Sequence, residues 1–138
     1  MKQQENSIQI PEHIWIKIIE QCKQALPFEA CGFLSGSEDG KITSYWKLIN
    51  EATSHNQFLV SQRNVGETLK KIEAKEEEVR VLYHSHPTAP PTPSKQDIQY
   101  HPDEEVMMLI ISFWNGGLYY QCYRIMKDNY VAVPIIIS

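Results

Sequence analysis

One short string constrains this chain more than any other: His84-Ser85-His86-Pro87, followed by prolines at 90, 91 and 93 and then by Ser94-Lys95-Gln96-Asp97. The residues ahead of it, Val79-Arg80-Val81-Leu82-Tyr83, are rich in β-branched and apolar side chains, which predicts a buried strand whose last residues include the two histidines. Residues i and i+2 of a strand share a face, about 6–7 Å apart along the chain, so both imidazoles can converge on one ion. Pro87 ends the strand, and the later prolines stiffen the loop that follows. Asp97 can then return as a third ligand.

Two neutral imidazoles and one carboxylate form a nitrogen and oxygen donor set that suits zinc, with a fourth position left open as in catalytic sites. A closed structural site needs one more protein ligand, and His101, four residues past Asp97, is the nearest histidine. Simpler readings exist for the same residues. A His-x-His pair at a strand end is commonly polar surface, and Ser-x-x-Asp before a helix is a capping box whose side chains bond backbone N–H groups.

His-x-His-Pro, six residues, Ser, two residues and Asp resembles the signature of the JAMM (MPN-plus) zinc metallopeptidases, and His84, His86, Ser94 and Asp97 match it at all four functional positions. An earlier segment, Pro27-Phe28-Glu29-Ala30-Cys31-Gly32-Phe33-Leu34-Ser35-Gly36, is similar to the form found in bacterial and archaeal members. The resemblance spans roughly residues 8 to 125 and is strong in these two segments. It implies one zinc ion per chain on His84, His86 and Asp97. It also implies that Glu29 binds the water at that ion and that Ser94 steadies an oxyanion. Val81 stands where many members have glycine three residues before the first histidine, a change that bears on packing beneath the site.

The rest of the chain frames these segments. Ser7–Ile10 is expected as a short strand, and Pro11 as the opening of a helix whose apolar face is Ile14, Ile18, Ile19, Cys22 and Leu26, stopped by Pro27. Ala30–Ser35 reads as a strand, Ser37-Glu38-Asp39-Gly40 as a hairpin turn, and Lys41–Leu48 as the partner strand. Alternation sets Glu29, Cys31 and Phe33 against Ala30, Gly32 and Leu34. A short strand is expected at Gln57–Val60 and an amphipathic helix from Ser61 to about Lys75, with Val65, Leu69 and Ile72 spaced i, i+4 and i+7. The charged residues through Glu78 read as a solvated face, and His13, His55 and His101 as surface histidines. Ser94–Tyr100 is predicted to be a short helix. Val106–Phe113 reads as a central strand, Leu118–Ile125 as its neighbour after Asn115-Gly116-Gly117, and Tyr130–Ile137 as an edge strand broken by Pro134.

Interleaved strands and helices of this kind predict an α/β (α+β) fold, one domain over residues 1–138. The resemblance sharpens this to a curved mixed β-sheet flanked by helices, related in architecture to the cytidine deaminases. Deaminase chemistry is itself excluded, because neither His-x-Glu nor Pro-Cys-x-x-Cys occurs.

A net charge of −4 without a basic run argues against nucleic acid or an anionic membrane as partner. No apolar run is long enough to span a bilayer, and Met1–Asn6 lacks an apolar signal core. Three cysteines without a C-x-x-C pair fit a cytoplasmic setting. The apolar C-terminal strand serves either as core cover or as a homodimer contact. The expected activity is amide hydrolysis by a zinc metallopeptidase. By resemblance, the bond follows the C-terminal Gly-Gly of a ubiquitin-like protein of the sulfur-carrier kind. The competing readings are a non-catalytic MPN-type binding module and a zinc amidohydrolase acting on a small molecule.

Overall fold

β-Branched and aromatic runs supply the strands, and the 3.6-residue repeats supply the helices. In this computed structural model, which describes residues 7–38 and 40–138, the order is β1 (Ile8–Ile10), α1 (Glu12–Ala25), β2 (Cys31–Gly36), β3 (Ser44–Leu48), α2 (Gln62–Ala74), β4 (Glu78–His86), α3 (Lys95–Gln99), β5 (Met107–Ser112), β6 (Tyr119–Met126), β7 (Asn129–Val133) and β8 (Ile135–Ile137). The expectations for Met1–Asn6 and for Asp39 in the hairpin turn lie outside the described residues. Six strands form one sheet in the order β3-β2-β4-β5-β6-β7, and β1 pairs with β8 in a small parallel sheet. Within the larger sheet β4 and β5 run parallel and the other neighbours antiparallel. This is the mixed sheet flanked by helices that the sequence implies. No described helix is long and apolar enough to cross a membrane.

Parallel neighbours cannot be joined by a tight turn and need a long crossover. Here that crossover is residues 87–106, the proline loop and α3, so the loop over the end of β4 follows from topology. Side-chain alternation divides the two faces. Leu34, Val81, Tyr83, Leu109 and Ile111 pack with Ile14, Ile18 and Cys22 of α1. On the opposite face, Cys31, Phe33 and Leu82 meet Val65 and Ile72 of α2, and Met108, Ile110 and Tyr123 meet Ile98 of α3. His84 and His86 lie on this second face. Val81 is fully buried on the first, in the cluster with α1.

Some expectations need correction. Gln57–Val60 forms no strand; one backbone bond, from Glu51 N–H to the Leu59 carbonyl, and the Asn50 side chain hold it in place of a ladder. Pro134 separates β7 from β8, which lie in different sheets, so the last strand is two. Leu26 is 42% exposed because the helix ends at Ala25, one residue short of it. Gln21 takes the inward place instead: its Nε2 donates to the Cys31 carbonyl at 3.1 Å and its Oε1 accepts from the Tyr83 hydroxyl. A Cβ at Gly32 would run into the Tyr83 phenol and the Trp46 carbonyl, so only glycine admits that ring.

Glu77 is the clearest departure from the expected solvated face. Its side chain is 10% exposed and accepts from Ser35 Oγ at 2.7 Å, Thr43 Oγ1 at 3.0 Å and Ser44 Oγ at 3.3 Å. Burial pushes its carboxyl up, but these hydroxyls and Lys75 outweigh burial and hold it below its ordinary value. A depressed carboxylate stabilises the fold above its unfolded pKa and loses that contribution as the pH falls through the folded one. Glu77→Gln is therefore expected to lower stability at pH 7 by about 1–3 kcal/mol. The deficit should shrink as the pH is taken below about 4. Urea midpoints at pH 7 and pH 3 check this, and an equal deficit at both contradicts it.

Candidate metal centre

The last turn of the β-ladder places both imidazoles. His84 is fully buried and His86 is 5% exposed, and Pro87 prevents the strand from running on. Asp97 arrives at the third position of α3 through a capping box: Ser94 Oγ accepts from Asp97 N at 3.0 Å, and Asp97 Oδ2 accepts from Ser94 N at 2.9 Å. Capping and convergence are thus not alternatives. The same Oδ2 lies 3.1 Å from His84 Nε2 and 3.2 Å from His86 Nε2, and the two nitrogens are 3.1 Å apart.

Those three atoms form a nearly equilateral triangle. An ion at the 2.0–2.1 Å bond lengths of zinc, in tetrahedral coordination, needs ligand–ligand edges of about 3.3 Å, so the donor set fits zinc in size as well as chemistry. His86 Nδ1 donates to the Pro90 carbonyl at 2.9 Å, which leaves Nε2 as the lone-pair nitrogen. His84 Nδ1 has no hydrogen-bond partner, and the ring is set by packing, with Phe58 centred 5.0 Å from it. The proline loop is tied down from below: Ser112 Oγ donates to the Ala89 carbonyl and Tyr123 Oη to the Pro91 carbonyl, both at 2.5 Å.

Glu29 sits just before β2. Cys31 pairs with His84, and the same register carried back two residues sets Glu29 opposite His86. It is 4% exposed, and Oε1 is buried without a partner. Burial raises its carboxyl most, His86 draws it down, Asp97 pushes it up, and the outcome is a value of about 7. Asp97 behaves in the opposite way. Burial alone would raise it, but the imidazoles of His84 and His86 and the Ser94 N–H hold it far below the usual carboxylate range. Two carboxyls of one site are thereby shifted in opposite directions, Glu29 up and Asp97 down.

Ser94 is exposed at the cap. Because its hydroxyl oxygen accepts from Asp97 N, its own proton remains to be donated. A cavity of about 470 Å³ opens beside the triangle, lined by Phe58, Val60, Leu82 and Met108 with His84 and Asp97 on its wall. His101 also lines it; Nε2 bonds the Val106 carbonyl, so this histidine is half-buried and not the surface residue expected. Among the described residues the convergent ligand cluster is His84, His86 and Asp97, and His101 stands outside it. Cys31 is buried on the face of the site, its thiol pushed up to about 12 chiefly by burial, which disfavours the thiolate. Phe58, Ser112 and Tyr123 carried no signal in the sequence, since their roles depend on partners that only the folded sheet supplies.

Residues 11–123 match the family described as prokaryotic homologs of the JAB domain. A desampylase from Pyrococcus furiosus is 27% identical over 130 residues, covering 94% of this chain and 89% of that protein. The solution structure of DSY2949 from Desulfitobacterium hafniense superposes with a TM-score of 0.84 at 27% identity, over 95% of this chain and 92% of that one. AF2198, a JAB1/MPN domain protein from Archaeoglobus fulgidus, shares the fold with a TM-score of 0.61 at 21% identity, over 94% of this chain and 99% of its own.

Proposed function

The chain belongs to the prokaryotic homologs of the JAB domain, and on that premise we propose that it is a zinc-dependent metallopeptidase, one domain over residues 1–138. The proposed reaction is hydrolysis of the peptide or isopeptide bond after the C-terminal Gly-Gly of a ubiquitin-like protein of the sulfur-carrier kind. The observation that carries this reading is the donor triangle of His84, His86 and Asp97, with the buried Glu29 carboxyl set near neutral pH alongside. The likeness to a relative named desampylase supports a modifier protein as substrate. A cytoplasmic setting suits the three free, buried cysteines.

His84, His86 and Asp97 would hold the ion, which when bound supplies Lewis acidity that makes water a nucleophile near pH 7. Glu29 takes the proton of the attacking water and returns it to the leaving amine. Ser94 directs its free hydroxyl proton at the carbonyl oxygen as negative charge develops there. The carbonyls of Pro90 and Pro91, held by His86 and Tyr123, keep the loop from shifting as charge moves. The cavity beside His84 sets the apolar side chains of Phe58, Leu82 and Met108 on one side of the site.

Glycines at the scissile end suit such a site because they carry no side chain to clash and adopt extended backbone freely. The test is a panel of folded ubiquitin-like domains ending in Gly-Gly and extended by a short peptide, run beside small acyl amides. Cleavage after Gly-Gly, slowed about tenfold or more when the penultimate glycine becomes valine, is expected. Hydrolysis of the small amides with the fusions untouched rejects this substrate class in favour of a small-molecule amidohydrolase; no reaction with either favours a binding module.

Ser94 has two roles that one substitution separates. Ser94→Ala should retain zinc, lower stability by about 0.5–2 kcal/mol through the lost cap, and reduce kcat by about 10²–10³ through the lost donor. Thermal melts beside rate measurements read both, and a melting shift without a kinetic change denies the oxyanion role.

A further inference from the structure

The peptide that joins Glu29 to Ala30 is held at both polar atoms by side chains distant in sequence. Asn50 Nδ2 donates to the Glu29 carbonyl at 2.8 Å. Ala30 N donates to Ser85 Oγ at 2.8 Å, and Ser85 N returns a bond to the Ala30 carbonyl at 3.0 Å. Asn50 does more than hold this peptide, since its Oδ1 accepts from Ala52 N at 2.9 Å and from Leu59 N at 3.0 Å. Two N–H groups converge on one end of this amide and a carbonyl faces the other, so the chemistry dictates which end is oxygen. Leu59 neighbours Phe58, whose ring lies against His84, and both line the cavity.

We infer that Asn50 is a positioning residue, which together with Ser85 pins the Glu29–Ala30 peptide and, through Leu59, fixes the cavity wall to the same point. The inference rests on the role of Glu29 proposed above. The Glu29 side chain has a buried oxygen without a partner, so no hydrogen bond of its own aims that atom, and its direction comes from the backbone that carries it. Ser85, between the two histidines, ties that backbone to β4; Asn50 ties it to the loop that walls the substrate side. A displacement of a reacting group by about 1 Å can cost two orders of magnitude in rate, so a side chain that touches neither substrate nor ion can govern turnover.

Asn50→Asp separates this role from general support. A carboxylate keeps the acceptor for Ala52 N and Leu59 N and sets an oxygen against the Glu29 carbonyl where a donor had been. The assay substrate is a folded ubiquitin-like domain ending in Gly-Gly with a C-terminal aminocoumarin amide. At full zinc content, kcat should fall roughly tenfold or more with KM within about twofold. Amide exchange followed by NMR should quicken at Ala30 and stay slow at Ala52 and Leu59. Asn50→Ala, which removes both ends, should quicken all three amides and raise KM as it lowers kcat. A merely structural asparagine would lower the melting temperature of both variants and leave kcat per zinc unchanged well below it.

Unchanged kcat in either variant at full zinc overturns the inference, as does rapid exchange of the Ala30 amide in the wild-type protein, a measurement that needs no variant to fold. Glu29→Gln is run alongside. If it loses activity while Asn50→Asp keeps it, the positioning role alone falls; if Glu29→Gln is itself active, the proposed role of Glu29 falls with it.

Discussion

Glu29→Gln should bind zinc as fully as the wild-type protein and hydrolyse its substrate about 10²–10⁴ times more slowly, the usual range for loss of a positioned acid or base. The glutamine keeps the shape of a residue that is 4% exposed on the face of the site and cannot take a proton. The same substitution has a second consequence of opposite sign. Burial raises the Glu29 carboxyl to about 7, so the folded metal-free protein holds this proton more tightly than the unfolded chain. Its stability is greatest below the ordinary glutamate value and declines as the pH rises through about 7. Replacing the buried charge with a neutral amide removes that decline and should stabilise the metal-free protein above pH 7 by up to about 3 kcal/mol. A variant that melts later and works far less well marks a group retained for chemistry at the expense of stability. Near-normal turnover by Glu29→Gln, or a melting temperature below the wild type at pH 8 without metal, contradicts this account.

His86→Ala and Asp97→Ala should each abolish stoichiometric zinc binding and all measurable hydrolysis. Each removes one corner of a triangle whose edges are 3.1, 3.1 and 3.2 Å. Two remaining protein donors do not make a stable site for an ion that takes three in catalytic centres. Asp97→Asn is the finer probe. It preserves the volume and an oxygen able to accept from Ser94 N, so the capping box and α3 should survive while the anionic ligand is lost. The expected result is a folded protein, less stable at pH 7 than the metal-free wild type because it loses the carboxylate that His84, His86 and the Ser94 N–H favour, with zinc affinity reduced by orders of magnitude. Retention of one zinc per chain by His86→Ala overturns the ligand assignment.

The donor triangle was legible because its geometry is short-ranged: an i, i+2 pair on a strand, a proline that ends it and a capped turn that brings Asp97 back. The side of the sheet on which Glu29 lies was legible for the same reason, since alternation from Cys31 and Phe33 settles it. Features that depend on distant partners were not. Glu77 reads as one more charge in an acidic run until folding brings Ser35, 42 residues away, within 2.7 Å of it. Gln21 reads as the polar side of a helix until Tyr83 and Cys31 meet it. Gln57–Val60 has the composition of a strand, but the edge beside it is satisfied by Asn50 and one backbone bond, so no ladder forms. Local pattern carries the donor cluster, whereas the groups that position it are chosen by tertiary neighbours and leave no periodic trace.

The most direct test of the central claim is intact-mass analysis of a ubiquitin-like domain ending in Gly-Gly and extended by a short peptide, incubated with the zinc-loaded protein, with the same protein after chelation, and with Glu29→Gln. The account predicts one product from the zinc-loaded wild type, a domain ending at the second glycine, and none from the other two. Cleavage that persists after complete removal of zinc, or cleavage at any bond other than the one after Gly-Gly, contradicts it.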